Sequence, residues 1–220
     1  MKSRPGEIER GSMAIITEEL TERGCVLPEE HAPVILRCIH ASADYDYAEN
    51  LRFTPGAAEH AASALRGGTV IVTDTNMALA GISRPAMKVL GCTAVCFMAE
   101  ETIAAAAKKD GTTRAAAAMN HAGKTFPHAA FAVGTAPTAL FSLANQIETG
   151  LRPALVIAAP VGFVNVMESK ERIFQVCTEY SVPCIAAMGR KGGSSIAAAI
   201  CNALLYSACD MTDPKKRGWD

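Results

Sequence analysis

The sequence predicts an α/β fold: a three-layer α/β/α sandwich around a five-stranded parallel sheet. Three observations support this class. Short apolar runs recur along the chain, they lack the polar alternation of half-exposed strands, and segments of helical length separate them. Strands that are buried on both faces and joined through helices form parallel sheets with right-handed crossovers. The five runs are Thr69 to Thr73, Thr93 to Met98, Ala129 to Val133, Ala154 to Ala158 and Pro183 to Met188.

Helices are predicted after each of these strands and before the first. Proline near the first turn supports the helices that begin at Pro55 and Pro137, and Ser194 is expected to cap the last helix. The segments are Pro55 to Arg66, Ser83 to Leu90, Glu100 to Asn120 with a break near Asp110, Pro137 to Thr149, Glu168 to Tyr180, and Ser194 to Ala208.

Residues 1–52 are predicted to form an N-terminal helical segment that the sheet does not require. The segment packs either on the sheet domain or on a second copy of the chain, and residues 1–220 as a whole form a single domain. About two helices are indicated by apolar residues at helical spacing. These residues are Ile8, Ile15 and Ile16, followed by Val34, Ile35 and Ile39.

Composition limits the possible functions. The chain has 220 residues, 50% of them hydrophobic, which suits one α/β domain with a sizeable core. A net charge of −1 argues against broad binding to nucleic acid or anionic membranes. The longest nearly uncharged stretch, Pro153 to Met167, is too short to cross a bilayer. Eight cysteines lie mostly in apolar runs and the first residues carry no hydrophobic signal region, so we expect reduced thiols and a cytoplasmic protein.

Polar or glycine-containing loops follow the predicted strands, at the sheet edge where ligands bind in open parallel sheets. The loop Gly189 to Ser195, Gly-Arg-Lys-Gly-Gly-Ser-Ser, predicts an anion site. Its glycines allow close backbone approach, a helix start offers unpaired N–H groups, and two cations stand beside them. The alternative is an ordinary strand-to-helix turn with a serine cap. Neither a Walker A loop nor Gly-x-Gly-x-x-Gly occurs, which argues against nucleotide binding.

Five motifs in order carry a resemblance to a known family. They are Arg37-Cys-Ile-His40, Thr113-Arg114, Ala136-Pro-Thr-Ala-Leu140, Pro160-Val-Gly-Phe-Val-Asn-Val-Met-Glu-Ser-Lys-Glu171 and Gly189-Arg-Lys-Gly-Gly-Ser194. Together they resemble the precorrin-8X methylmutase family, including its cobalt-precorrin-8 branch, and the resemblance extends from Ile8 to Leu204.

The resemblance implies an isomerase of cobalamin biosynthesis that moves a methyl group from C-11 to C-12 of the corrin ring. The product would be hydrogenobyrinate, or cobyrinate when cobalt is already in the ring. It implies no cofactor and no protein-bound metal. It also implies a flavodoxin-like sandwich, a homodimer with active sites near the subunit interface, and a tetrapyrrole substrate with several carboxylates. Lys191 and the Glu168-Ser-Lys-Glu171 run are closer to the cobalt branch.

A methyl shift within one conjugated macrocycle needs no nucleophile, so a single well-placed acid can serve the reaction. His40 is the candidate, because imidazole titrates near neutral pH and the family's catalytic histidine stands at the matching position. The neighbouring Asp44 and Asp46 would raise the pKa of His40 if they lie close. The alternative is a histidine that only ends an apolar helix and interacts with its terminal carbonyls.

Ten further residues are predicted to bind the substrate. Arg37 lies one turn before His40 on the same helix face, so both can reach one ligand. The resemblance makes Arg37 and Ser12 substrate contacts. Thr135 stands where the family commonly has asparagine. A contact from the asparagine amide is therefore lost, and the threonine hydroxyl can at most make one hydrogen bond in its place. A solvated cation, a turn hydroxyl or an exposed helix residue is the alternative for several of them. The ten are Ser12, Arg37, Arg114, Thr135, Ser169, Arg190, Lys191, Gly192, Gly193 and Ser194.

Two other functions remain open from the sequence. A non-catalytic tetrapyrrole carrier would use the same anion site to hold a pathway intermediate. The fold class alone also allows a nucleotide- or phosphate-binding protein, although the phosphate-loop patterns are missing.

Overall fold

The computed structural model of the chain describes residues 4–218. Its strands are β1 (Leu51–Phe53), β2 (Val70–Thr73), β3 (Thr93–Val95), β4 (Ala130–Val133), β5 (Leu155–Ala158) and β6 (Cys184–Ala187). They form one sheet in the order β1-β6-β5-β4-β2-β3. Strands β2 to β6 pair in parallel, and each falls within one of the five apolar runs that predict it.

The prediction of five strands is wrong by one, because β1 adds an antiparallel edge strand next to β6. Leu51 stands opposite Ala187 in this pair, and the central residue, Arg52, is exposed. Three residues with a charge in the middle give no apolar run. Only the pairing with β6 makes this segment a strand, so residues 1–52 are not wholly helical.

Helices surround the sheet as predicted, with two additional short helices, Tyr47–Asn50 directly before β1 and Asn76–Gly81 directly after β2. The long segment from Glu100 is broken at Asp110, as expected. The helices are α1 (Pro5–Glu22), α2 (Ala32–Ser42), α3 (Tyr47–Asn50), α4 (Ala57–Arg66), α5 (Asn76–Gly81), α6 (Arg84–Leu90), α7 (Glu101–Lys109), α8 (Arg114–Thr125), α9 (Pro137–Glu148), α10 (Val166–Glu179) and α11 (Ser194–Ala208), followed by a 3₁₀ turn at Pro214–Arg217.

The two faces of the sheet carry two separate hydrophobic layers. In β4, Ala130 and Ala132 pack toward one layer, while Phe131 and Val133 pack toward the other. The first layer includes residues of α1, α2, α4, α6 and α11, and the second includes α7 to α10. Successive strand residues point to opposite faces, and both faces are covered, which explains why the strands lack polar alternation.

The N-terminal helical segment packs on the sheet domain of its own chain. Val34, Ile35, Cys38 and Ile39 bury one face of α2 in the layer that also contains α11. The same stripe was visible in the sequence as residues at spacings of three and four. No helix among residues 4–218 is both long and apolar enough to span a membrane.

The strand order places a crevice at the carboxyl edge. From β2 the chain goes first to β3 on one side and then to β4 on the other, so the connections diverge between β2 and β4. In open α/β sheets such a divergence separates two loops and leaves room for a ligand between them. The loops that follow β2 and β4 therefore form the floor of a candidate site.

Candidate active site

A buried carboxylate joins the two loops at this crevice. Asp74 directly follows β2, is completely buried, and accepts the backbone N–H groups of Gly134, Thr135 and Ala136 at 2.8, 2.7 and 2.9 Å. Burial raises the pKa of Asp74, and these three hydrogen bonds oppose that rise. Asp74 was not among the predicted site residues, although a polar residue at the end of a buried strand is a usable signal.

Three hydroxyl groups meet above Asp74. Ser194 Oγ lies 2.7 Å from Thr75 Oγ1 and 3.1 Å from Thr135 Oγ1. The prediction that Ser194 caps α11 is wrong. Gly193 is the N-cap residue and Ser194 the first helical residue, with its hydroxyl turned to the threonines. Gly134 permits this approach, because a Cβ atom there would collide with the Ser194 backbone.

The loop between β6 and α11, Gly189 to Gly193, approaches the loop after β5 closely. A Cβ atom on Gly192 would collide with the carbonyl oxygens of Ala159 and Pro160. Gly193 has a φ of 128° and donates its N–H to the Ala159 carbonyl at 2.8 Å. The Gly193 amide is therefore used internally, in contrast to its predicted role as a ligand donor.

Other amides of this loop are open. Among residues 4–218, the backbone N–H groups of Arg190, Lys191, Gly192, Ser194 and Ser195 donate no hydrogen bond. Unpaired N–H groups at a turn that leads into a helix favour an anion. These amides are the kind of donor that the predicted anion site requires, and the site itself stays a prediction.

The two cations of the loop have different partners. The Arg190 guanidinium is exposed and lies over the Phe163 ring, with 5.7 Å between the carbon and the ring centroid. Lys191 Nζ pairs with Asp44 at 2.7 Å and with Asp46 at 2.5 Å. These contacts raise the pKa of Lys191, and Lys191 lowers the pKa of Asp44. The loop is thereby tied to the segment after α2.

Lys170 and Ser169 lie beneath the loop and are completely buried. Ser169 Oγ donates to the Val166 carbonyl at 2.8 Å within its own helix, so it does not face the open amides. Lys170 Nζ donates to the carbonyls of Gly189 at 2.9 Å and Lys191 at 2.8 Å. Burial lowers the pKa of Lys170 to about 8.

Lys170 was not among the predicted site residues, although the sequence carries a signal for its burial. Val166, Ile173 and Cys177 form the buried stripe of α10, and Lys170 stands four residues after the first and three before the second. Positions at those spacings share one helix face.

His40 and Ser12 lie together in a cleft of about 380 Å³ between α1 and α2, away from the loops described above. His40 stands in the last turn of α2, and Ser12 Oγ donates to the Ile8 carbonyl at 2.9 Å. The cleft is lined by Ser12, Ile15, Ile16, Glu19, Ile39, His40, Ala43 and Tyr45. The pattern Arg-x-x-His thus brings its histidine to a cleft that also holds the predicted serine.

The pKa of His40 is lowered, first by partial burial and then by the positive charge of Arg37. Asp44 and Asp46 were expected to raise the pKa of His40, but they do not, because both bind Lys191 instead. The charge that does raise it is Glu9. The ring is therefore largely neutral at pH 7 in the unliganded protein.

Arg37 belongs to a buried ion cluster rather than to the His40 cleft. Its Nη2 pairs with Glu9 Oε1 at 2.8 Å, and Arg217 Nη2 pairs with the same oxygen at 2.7 Å. Both guanidinium groups lie over the Tyr206 ring, at 5.3 and 4.4 Å. Arg37 and Glu9 line a different hollow of about 400 Å³, so Arg37 and His40 do not open onto the same space. Glu9 was not anticipated, since a glutamate on an amphipathic helix gives no sign of burial.

Arg114 is the first residue of α8 and is exposed at the carboxyl edge of the sheet. Its Nη1 lies 3.5 Å from the Met98 carbonyl, just beyond β3. Thr113 Oγ1 and Thr138 Oγ1 are 2.7 Å apart, which joins the start of α8 to the start of α9. Arg114 thus lies next to the loop that holds Thr135.

The predicted residues form two groups. Thr135, Arg190, Gly192 and Ser194 gather at the carboxyl edge of the sheet, with Arg114 beside them, while Ser12 and His40 share the α1/α2 cleft. The Lys191 ion pairs connect the first group to the segment that follows His40. Ser169 and the Gly193 amide are turned inward.

Comparison with known proteins decides the family. The family model for precorrin-8X methylmutase matches residues 7–207. The chain belongs to the precorrin-8X methylmutase family. The cobalt-precorrin-8 methylmutase of Leptospira interrogans is 40% identical to it over 205 residues, which cover 90% of this chain and 91% of the relative. That of Salmonella typhimurium is 39% identical over 210 residues, which cover 92% and 95%.

A solved methylmutase has the same architecture. The precorrin-8X methylmutase of Thermus thermophilus superposes with a TM-score of 0.82 at 36% identity, covering 92% of this chain and 98% of that one. The match confirms the resemblance drawn from the five motifs and supports the α/β sandwich along almost the whole length of this methylmutase.

Proposed function

We propose that this protein converts cobalt-precorrin-8 into cobyrinate by moving the methyl group from C-11 to C-12, with His40 as the proton donor. The bond from C-11 to the methyl carbon breaks and the bond from C-12 to it forms within one molecule. The substrate and the product are isomers, so no methyl donor or redox cofactor is consumed. A proton that His40 lends to the macrocycle returns to the imidazole at the end of the step.

One observation carries this proposal: Lys191 joins the loop of open amides to Asp44 and Asp46, which follow the helix of His40. A corrinoid has several carboxylates around a ring. Its enzyme therefore needs hydrogen-bond donors for these carboxylates and an acid, held at a fixed position relative to each other. The ion pairs supply such a relation between two segments about 150 residues apart in the chain.

The electrostatics of His40 suit a proton donor that becomes charged when the substrate binds. In the unliganded protein, partial burial and Arg37 keep the pKa of His40 below its ordinary value. Carboxylates of a bound substrate would offset the positive charge of Arg37 and Arg217 and raise this pKa. Protonation of the imidazole would then accompany binding.

The finer features of the proposal rest on several observations. The names of the two relatives above favour the cobalt-containing substrate. The parallel strands follow the order β3-β2-β4-β5-β6, which supports a flavodoxin-like sandwich. Phe163 and Val164, at 84% and 77% exposure beside Arg190, favour a surface that a second subunit covers in a homodimer. All eight cysteines are free thiols, which favours a cytoplasmic location.

The decisive experiment is incubation of purified protein with cobalt-precorrin-8 and, in parallel, with metal-free precorrin-8, followed by absorption spectroscopy. We expect a spectral change to the methyl-shifted product without any added cofactor. His40→Ala should lower kcat by about 100-fold or more while substrate binding remains measurable. His128→Ala, which alters an exposed histidine bonded to the Arg152 carbonyl, is the matched control and should retain full activity.

Two results would count against the proposal. Normal turnover by His40→Ala would remove His40 from its role. Tight binding of both substrate and product with an unchanging spectrum would instead favour a non-catalytic carrier.

A further inference from the structure

Lys170 is the one lysine among residues 4–218 that is completely buried, and the proposed chemistry gives it no role. Taking an ammonium group out of water costs free energy, which hydrogen bonds must offset. The Lys170 ammonium group donates to the carbonyls of Gly189 and Lys191, the residues on either side of Arg190. Both belong to the loop that carries the open amides.

Because of the geometry of the peptide group, these two hydrogen bonds fix the direction in which two N–H groups of the loop point. A trans peptide unit is planar, and its C=O and N–H point in opposite directions. The Gly189 carbonyl shares its unit with the N–H of Arg190, and the Lys191 carbonyl shares its unit with the N–H of Gly192. No described peptide bond is cis. Because Lys170 draws both carbonyls inward, both N–H groups point away from α10.

These N–H groups are also free to bind. Neither the Arg190 nor the Gly192 amide donates to an acceptor among residues 4–218. A carbonyl that accepts a bond from an ammonium group polarises its peptide unit, which makes the N–H on the same unit a stronger donor. Lys170 thus supplies both the direction and the strength of two donors.

We propose that Lys170 is a positioning residue of the methylmutase site: its ammonium group turns the Gly189–Arg190 and Lys191–Gly192 peptide units outward, so that the Arg190 and Gly192 amides bind a carboxylate of the substrate. This inference rests on the proposed function, because the carboxylate belongs to the corrinoid. Lys170 itself does not touch the substrate. Its effect reaches the substrate through the loop backbone.

Steady-state kinetics with cobalt-precorrin-8 test the proposal. Lys170→Met keeps the apolar stem and removes both hydrogen bonds, and it should raise KM about 10-fold or more while kcat stays within about 3-fold. Lys170→Gln retains N–H donors without the charge and should restore part of the affinity. Lys124→Met, on an exposed position of α8, is the control and should leave both constants unchanged. An unchanged KM in Lys170→Met would overturn the proposal.

A second measurement covers the case in which the variants do not fold. In the wild-type protein, titration with metal-free hydrogenobyrinate should shift the backbone amide NMR resonances of Arg190 and Gly192. If neither resonance moves while the product binds, the positioning role of Lys170 is wrong. The proposed function fails separately, through absence of turnover by the wild-type protein.

Discussion

At the scale of single residues, buried charges set the properties of the candidate acid. Glu9 is 5% exposed and accepts both Arg37 and Arg217 on one oxygen, so the cluster has one negative charge against two positive ones. The excess positive charge lies near His40, whose pKa is lowered first by partial burial and then by the arginines, and raised by Glu9. The proton affinity of the imidazole thus depends on a carboxylate outside its own cleft.

The pH dependence of activity should report this arrangement. If protonated His40 is the acid, kcat/KM should fall as pH rises through the pKa of the free protein, which lies below the ordinary histidine value. Glu9→Gln removes the charge that raises this pKa and should move the midpoint to still lower pH. The measurement is kcat/KM across the range from about pH 5 to pH 8.

Glu18→Gln is the control, since Glu18 is exposed on the same helix and should leave the midpoint unchanged. A midpoint that does not move in Glu9→Gln, or that moves to higher pH, would contradict the electrostatic account of His40.

At the scale of elements, the loop after β4 and the start of α11 are in close backbone contact. Gly134 lies against the backbone of Ser194, and Asp74 fixes the three amides that begin at Gly134. Thr75 caps α5 through the amide of Ala78 while its hydroxyl also contacts Ser194. The packing of three segments, which are the loops after β2 and β4 and the start of α11, therefore depends on the small size of Gly134.

Gly134→Ala should destabilise the protein by about 1–3 kcal/mol, because the new methyl group must push the first residue of α11 away. The free energy of unfolding in urea measures the effect. Gly11→Ala is the matched control, since Gly11 lies within α1 with nothing near its added Cβ atom, and it should be neutral or stabilising by up to about 1 kcal/mol. Equal stability of Gly134→Ala and the wild type would contradict the tight contact.

How far the elements could be predicted depends on whether local pattern or distant pairing forms them. The parallel strands were predictable because each is an apolar run, and α11 was predicted with the bounds that the structure shows. Strand β1 was not, because the Leu51–Phe53 segment becomes a strand only beside β6. Within the site, Lys170 was recoverable from its place in the stripe of α10, whereas the sharing of Glu9 by two arginines depends on a contact across 208 residues.

At the scale of the whole molecule, the burial of Lys170 couples folding stability to pH. Its pKa is about 8 in the folded protein, below the ordinary lysine value of 10.5. Between these pH values the unfolded chain binds more protons than the folded one. Stability from this group therefore rises with pH across that window.

The prediction concerns the difference in the free energy of unfolding between the wild type and Lys170→Met. The free energy of unfolding of the wild type, relative to that of the variant, should increase as pH goes from 8 to about 10. Urea unfolding at several pH values gives both curves, and other titrating groups cancel in the difference. A difference that is constant or falls with pH would show that Lys170 does not lose its proton early.

The ion pairs of Lys191 have a consequence for how tightly any anion can bind at the loop. The ammonium group already has two carboxylates as partners, so a substrate carboxylate that takes this lysine must displace Asp44 or Asp46. Such an exchange replaces one partly exposed ion pair with another, and the net gain in affinity is small. Lys191 therefore favours ligands whose carboxylate can take the place of Asp44 or Asp46. Most of the free energy of binding must come from groups that have no partner within the protein.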